Sequence, residues 1–137
     1  MLDFSKFGRI FMGLAAGSLI LASVVSAGTV QTSKKDGLGI YLVDEKGMTL
    51  YMFKKDTPGK SACGAANGCL EKWPVFYIGA DWITSGVDAT AFGALSRDDG
   101  KEQTTYKGSP LYYFVKDKAP GDSKGQGLND AWYVVAP

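Results

Sequence analysis

The chain has 137 residues, of which 45% are hydrophobic, 12% are aromatic and 18 are glycine, with 15 Lys+Arg against 14 Asp+Glu. That length holds one ordinary globular domain, and a near-balanced charge with no Lys/Arg run argues against a nucleic-acid or anionic-membrane surface. Histidine is absent, which removes His-ligated zinc, copper and haem, Ser-His-Asp catalysis and the common general base near neutral pH.

The first segment reads as a secretory signal peptide, residues 1–27. Lys6 and Arg9 form a basic start, the stretch from Ile10 to Val25 is nearly all apolar or small, and Val25-Ser26-Ala27 is a small-x-small cleavage site. An apolar run of about 16 residues is short for a bilayer span. No cysteine follows it, as a lipid-modified amino terminus would require. The mature protein is therefore expected to start near Gly28, to be charge-neutral once Asp3, Lys6 and Arg9 are gone, and to have no membrane span. A soluble periplasmic or extracellular location follows from the same reading. The polar stretch at 28–37, GTVQTSKKDG, lacks periodicity and is expected to be a flexible leader.

A single β domain is expected over 38–137. Leu38 to Val43 is a β-type run, Asp44-Glu45-Lys46-Gly47 has turn chemistry, and Met48 to Lys54 returns, so this is a hairpin. Alternation in the returning strand puts Leu50 and Met52 on one face and Tyr51 and Phe53 on the other, which requires cover on both sides. Asp56-Thr57-Pro58-Gly59 stops the strand. A Gly/Ala/Asn-rich loop between Cys63 and Cys69 follows, then Leu70-Glu71-Lys72 as a short helical turn and Trp73 to Ile78 as a third strand. Asp88 to Leu95 is read as a short helix capped by Asp88. Arg97-Asp98-Asp99-Gly100 is a turn. Gln103 to Tyr106 is a strand, joined through Lys107-Gly108 to a return strand from Pro110 to Lys116, and a Gly-rich loop leads to a last strand from Trp132 to Val135.

The pattern occurs twice. KGMTLYMFKKDTPG, from Lys46 to Gly59, reappears as KGSPLYYFVKDKAPG, from Lys107 to Gly121, about 61 residues on. Each half reads as hairpin, Asp turn, loop and Trp-led strand, with repeats over 38–78 and 97–137. The fold class is thus mainly β, a small antiparallel sheet protein built from two similar hairpin-plus-strand units, with short helical turns and a pseudo-twofold arrangement.

Tyr51, Phe53 and Asp56 in the first copy, and Tyr112, Phe114 and Asp117 in the second, fit Y-x-[FWY]-x-x-D. With YLVDEKGMTLY, the cysteine loop ending in Trp73-Pro74, RDDG, TTYKGSPLYYF and the GQG before WYVVAP, they resemble the bacterial secreted-repeat family of predicted lipoproteins. The likeness covers nearly all of residues 40–137. It implies export and a β fold, and no reaction, because that family is one of unknown function. The lipoprotein cysteine is missing here.

Several residues carry candidate chemistry. Cys63 and Cys69, the two cysteines of an exported chain, point to a structural disulfide; a redox-active pair is the sharper alternative, although such sites usually have C-x-x-C spacing. Asp56 and Asp117 are weak candidates for Ca²⁺ ligation, and turn formation is the plainer role. Met48 and Met52, on one strand face, can in principle hold Cu(I), or simply fill the core. Tyr51, Phe53, Tyr112 and Phe114 either form a packed seam between the repeats or an exposed aromatic row suited to a protein or glycan.

The favoured function is an exported, non-catalytic β module that binds an unknown protein partner or small ligand at the cell envelope, with no cofactor. A metal-binding or redox accessory protein of the periplasm is the alternative. A hydrolase ranks third, since adjacent Asp98 and Asp99 on a turn point apart.

Overall fold

The structure is a computed structural model that describes residues 28–79 and 81–137. The expected signal peptide and its cleavage point lie outside the described residues. Eight strands are described: β1 (Gly28–Lys35), β2 (Gly39–Asp44), β3 (Tyr51–Phe53), β4 (Trp82–Ser85), β5 (Phe92–Ser96), β6 (Glu102–Tyr106), β7 (Ser109–Pro110) and β8 (Trp132–Val134). A single helical turn, α1 (Cys69–Lys72), and 3-10 turns at Ala89–Ala91 and Leu128–Asp130 complete the elements. The chain is mainly β, as its sequence implies, in small sheets ordered β2-β1-β4, β3-β8 and β5-β6-β7.

Several expectations need correction. The stretch at 28–37 is not a flexible leader: Gly28–Lys35 is the central strand of its sheet, and Val30 is fully buried in the core. A polar strand is stable there because both edges are paired, with β2 antiparallel and β4 parallel, so its main chain is satisfied without apolar alternation. The parallel β1–β4 pair also departs from a wholly antiparallel plan. The helix expected from Asp88 to Leu95 is a 3-10 turn followed by β5; Asp88 does cap it, accepting from Thr90 N at 2.9 Å. Antiparallel pairing of β5 with β6, from Phe92↔Tyr106 to Ser96↔Glu102, outweighs a helical preference that Gly93 already weakens.

Both expected turns form. The Asp44 carboxylate accepts from Lys46 N and Met48 N, and Val43 bridges Thr49. In the second copy Lys107 (φ 51) and Gly108 (φ 86) are both left-handed, the two-residue hairpin geometry that matches strand twist.

The centre of the molecule is a reciprocal exchange of strands between the repeats. β3 of the first repeat pairs with β8 of the second, Tyr51↔Val134 to Phe53↔Trp132. The strands expected over 73–78 and 110–116 are not continuous, being reduced to β7 and isolated bridges at Val75 and Tyr112, but these segments pair in the same sense: Tyr113 N donates to Pro74 O at 2.8 Å, Val115 N to Lys72 O at 2.9 Å and Phe76 N to Leu111 O at 3.1 Å. Between these pairs Tyr51 and Tyr112 exchange both backbone bonds, at 2.8 and 2.9 Å. The local twofold runs between those two tyrosines.

Alternation then sorts side chains to two cores. Leu50 and Leu111, with Met52 packed against them, join Val30, Leu42, Phe76 and Val135 on one face. Tyr51, Tyr112 and Phe114, with Phe53 alongside, join Trp73 and Trp132 on the other. The aromatic residues of the repeated motif are the seam, not an exposed row: Trp73 stacks on Trp132 with centroids 3.8 Å apart and planes 2° from parallel.

Candidate functional site

Each motif tyrosine reaches across the twofold to the aspartate of the other repeat. Tyr51 Oη donates to Asp117 Oδ2 at 2.6 Å, and Tyr112 Oη donates to Asp56 Oδ2 at 2.7 Å. Each aspartate uses its second oxygen to hold the loop that follows it: Asp56 Oδ1 accepts from Ala62 N at 2.6 Å and Asp117 Oδ1 from Lys124 N at 2.9 Å. Burial pushes the Tyr51, Tyr112 and Tyr113 hydroxyls well above the ordinary 10.0, aided by the facing carboxylates Asp117, Asp56 and Asp44, so all three remain donors. Burial likewise raises Asp56 above its ordinary 3.8, against the opposing bonds from Ala62 and Tyr112.

Three of the four weak metal candidates are therefore engaged elsewhere, and Met48, half-buried, belongs to neither core cluster. Asp56 and Asp117 serve the two tyrosines and the two loops, and Met52 packs against the first core. Among the described residues no group of three or more Cys, Asp or Glu side chains is brought together in a metal-holding arrangement. Cys63 and Cys69 form a disulfide, with Cα atoms 5.2 Å apart and Cys63 wholly buried.

Arg97 also fixes the disulfide loop at its Cys63 end. Its guanidinium is buried and makes four hydrogen bonds: Nη2 donates to Cys63 O at 2.7 Å, Nη1 to Ser61 Oγ at 2.9 Å and Gln103 Oε1 at 2.7 Å, and Nε to Asp99 Oδ2 at 3.1 Å. Ser61 Oγ in turn lies 2.5 Å from Tyr112 Oη, so one hydrogen-bonded chain runs from Asp56 through Tyr112 and Ser61 to Arg97. The loop of the second repeat has a simpler, exposed counterpart, as Lys35 Nζ donates to Gly121 O at 2.9 Å and to Ser123 Oγ at 3.0 Å.

Between the disulfide loop and the turn after β5 lies a half-open groove of about 740 Å³. Residues 59–62, 64–67 and 95–99 line it. Ala62, Gly64, Ala65 and Ala66 make a wall of small side chains, Arg97 forms part of the floor, and Asp98 and Lys60 stand exposed at the rim, 4.0 Å apart. Asp98 and Asp99 do not converge: Asp99 is held by Arg97 and by Lys101 N, whose hydrogen bond is the main cause of its lowered pKa, while Asp98 is almost fully exposed. Arg97, Ser61 and Gln103 carried no expectation of a site. The sequence carried no signal for them, because the loop carbonyls that a buried Arg serves are brought to it only by the fold.

Comparison with protein families gives a match to Lipoprotein_15, described as a secreted repeat of unknown function, over residues 32–77 and again over 93–136. The chain belongs to this family. The two Lipoprotein_15 matches start inside β1 and β5, so each matched repeat takes in part of that strand and begins ahead of residues 38 and 97. Comparison with curated proteins and with solved structures gives no match. Among the described residues no helix is long and apolar enough to cross a membrane.

Proposed function

We propose that this secreted-repeat protein is a non-catalytic binding module of the cell envelope, periplasmic or extracellular, that takes a small ligand or a segment of a protein partner in the groove beside its disulfide loop. The observation that carries this reading is the groove itself: about 740 Å³ falls within the usual range for ligand sites. Its walls are pre-formed, because the disulfide closes the loop and Arg97 anchors its Cys63 end. Pre-organisation of this kind lowers the ordering cost of binding.

The polar groups at the floor are bonded to one another, which favours recognition over chemistry. Arg97 is spent on Asp99, Gln103, Ser61 and Cys63 O, and Ser61 on Tyr112. A metal-binding or redox accessory role is less well supported, since Asp56 and Asp117 bind tyrosines and the cysteines form a disulfide with Cys63 buried.

The test is amide NMR on the protein purified from an exporting host and titrated with a fragment library. Shifts clustered at 59–67 and 95–99, lost in Ala65→Trp with the spectrum otherwise intact, support the groove. Shifts confined to other surfaces, or a stoichiometric metal in the purified protein, count against it.

A further inference from the structure

We infer that the outer edge of β5 takes an added strand, an extended peptide whose side chains enter the adjoining groove. This rests on the binding role proposed for that groove and names its ligand class.

The phase of hydrogen bonding exposes the edge. Lys107 N donates to Ala91 O and Arg97 N to Lys101 O, each at 2.8 Å, so residues 91 and 97 bond towards β6. Alternation along an antiparallel pair makes Gly93 and Leu95 do the same and turns the N–H and C=O groups of Ala94 and Ser96 to the opposite side. Both residues are exposed, and among the described residues neither has a backbone partner there. Phe92 N is already committed to Ala89 O.

Natural edges are usually blunted with lysine, proline or a bulge. β5 reads FGALS, with no charge and no proline. The fold already contains one strand addition of this kind: β1, the counterpart of β5 in the first repeat, carries β4 as a parallel strand on its outer edge.

The groove defines the occupant. Ser96 and Leu95 line it together with the small residues Ala62, Gly64 and Ala65, so a strand laid along Ala94 and Ser96 has room for an apolar side chain over that wall. At the rim the exposed pair Lys60 and Asp98, 4.0 Å apart, offers one charge of each sign to the polar side chains of such a peptide. Main-chain bonds give affinity and alternate side chains give selectivity, as in other strand-addition complexes. A second copy of the chain fits less well, because a five-residue edge buries far less than the roughly 1,000 Å² a stable dimer needs.

The experiment selects phage-displayed random octapeptides on the exported protein, then titrates synthetic copies by NMR. The expected result is hydrogen-exchange protection at the Ala94 and Ser96 amides. Binding should weaken by roughly tenfold or more when alternate peptide amides are N-methylated, and likewise in Ala94→Pro, which deletes one outward donor. The peptide modification leaves the protein untouched, so misfolding of the proline variant would not rescue the idea. Peptides that bind with neither change mattering overturn strand addition and leave the groove reading standing. No selected peptide, with small fragments still shifting 59–67, does the same. Silence from both peptides and fragments removes both. A concentration-dependent dimer abolished by Ala94→Pro would replace the peptide with a second copy and overturn the proposal.

Discussion

Tyr51 of the first repeat donates its hydroxyl proton to Asp117 of the second, 66 positions along the chain, at 2.6 Å. Its counterpart, Tyr112, does the same to Asp56 at 2.7 Å. The motif that defines the repeat is thus read across the twofold and not within one copy. Neither half satisfies its own tyrosine and aspartate, so the motif is a closing device for the pair.

The aromatic core behind these bonds predicts large truncation effects. Trp132→Ala and Phe114→Ala should each cost roughly 3 kcal/mol or more, read as a lowered urea midpoint, because each empties the stack on Trp73. Gly125→Ala should destabilise as well. A Cβ at that position would lie 2.6 Å from the Trp73 ring and 3.0 Å from Tyr51, where the Gly125 amide donates to Tyr51 Oη. Unchanged midpoints in all three variants would reject the seam.

Removal of the disulfide should have a moderate and local effect. Replacing Cys63 and Cys69 together by serine is expected to cost roughly 2 kcal/mol on the loop-entropy account. Arg97 and Asp56 still hold the loop through Cys63 O, Ser61 and Ala62 N. Hydrogen exchange should therefore quicken in residues 60–69 and stay slow in β3 and β8. A collapse of protection throughout would mean that the disulfide carries the whole fold.

The acid limb of stability should show Asp56 working against its neighbours. Asp88 and Asp122 have lowered pKa values, set first by hydrogen bonds from the Thr90 side chain and from the Lys118 amide respectively. Such groups contribute stability above about 3.8 that is lost as pH falls through their folded values. Asp56 is raised by burial, so its sign is reversed: its contribution is present below 3.8 and lost as pH rises through the higher folded value. The free-energy difference between wild type and Asp56→Asn should thus shift in favour of wild type as pH falls towards 3.8. A pH-independent difference would show that Asp56 titrates alike in both states.

Much of this architecture was legible because the repeat imposes strong local patterns. Alternation at Leu50, Tyr51, Met52 and Phe53 named the two cores correctly, and Lys107-Gly108 announced a tight hairpin. β1 was missed because a centrally paired strand can be polar: GTVQTSKK offers one apolar side chain, and its stability comes from partners distant in sequence. The helix expected at 88–95 failed for the same reason, since pairing with β6 is non-local. The exchange of strands between repeats leaves no trace in either copy read alone. Of the candidate site, Cys63 and Cys69 were legible from their chemistry, whereas Arg97 became visible only when the loop carbonyls it serves were placed around it.

The central claim is that the motif tyrosines and aspartates pair between repeats. The most direct test is a pair of double-mutant cycles on unfolding free energy: Tyr51→Phe with Asp117→Asn, and Tyr51→Phe with Asp56→Asn. The account predicts a coupling of about 1 kcal/mol or more for the first pair. For the second it predicts additivity within about 0.5 kcal/mol. Strong coupling of Tyr51 to Asp56 with none to Asp117 would contradict the exchanged architecture and return the motif to a role within each repeat.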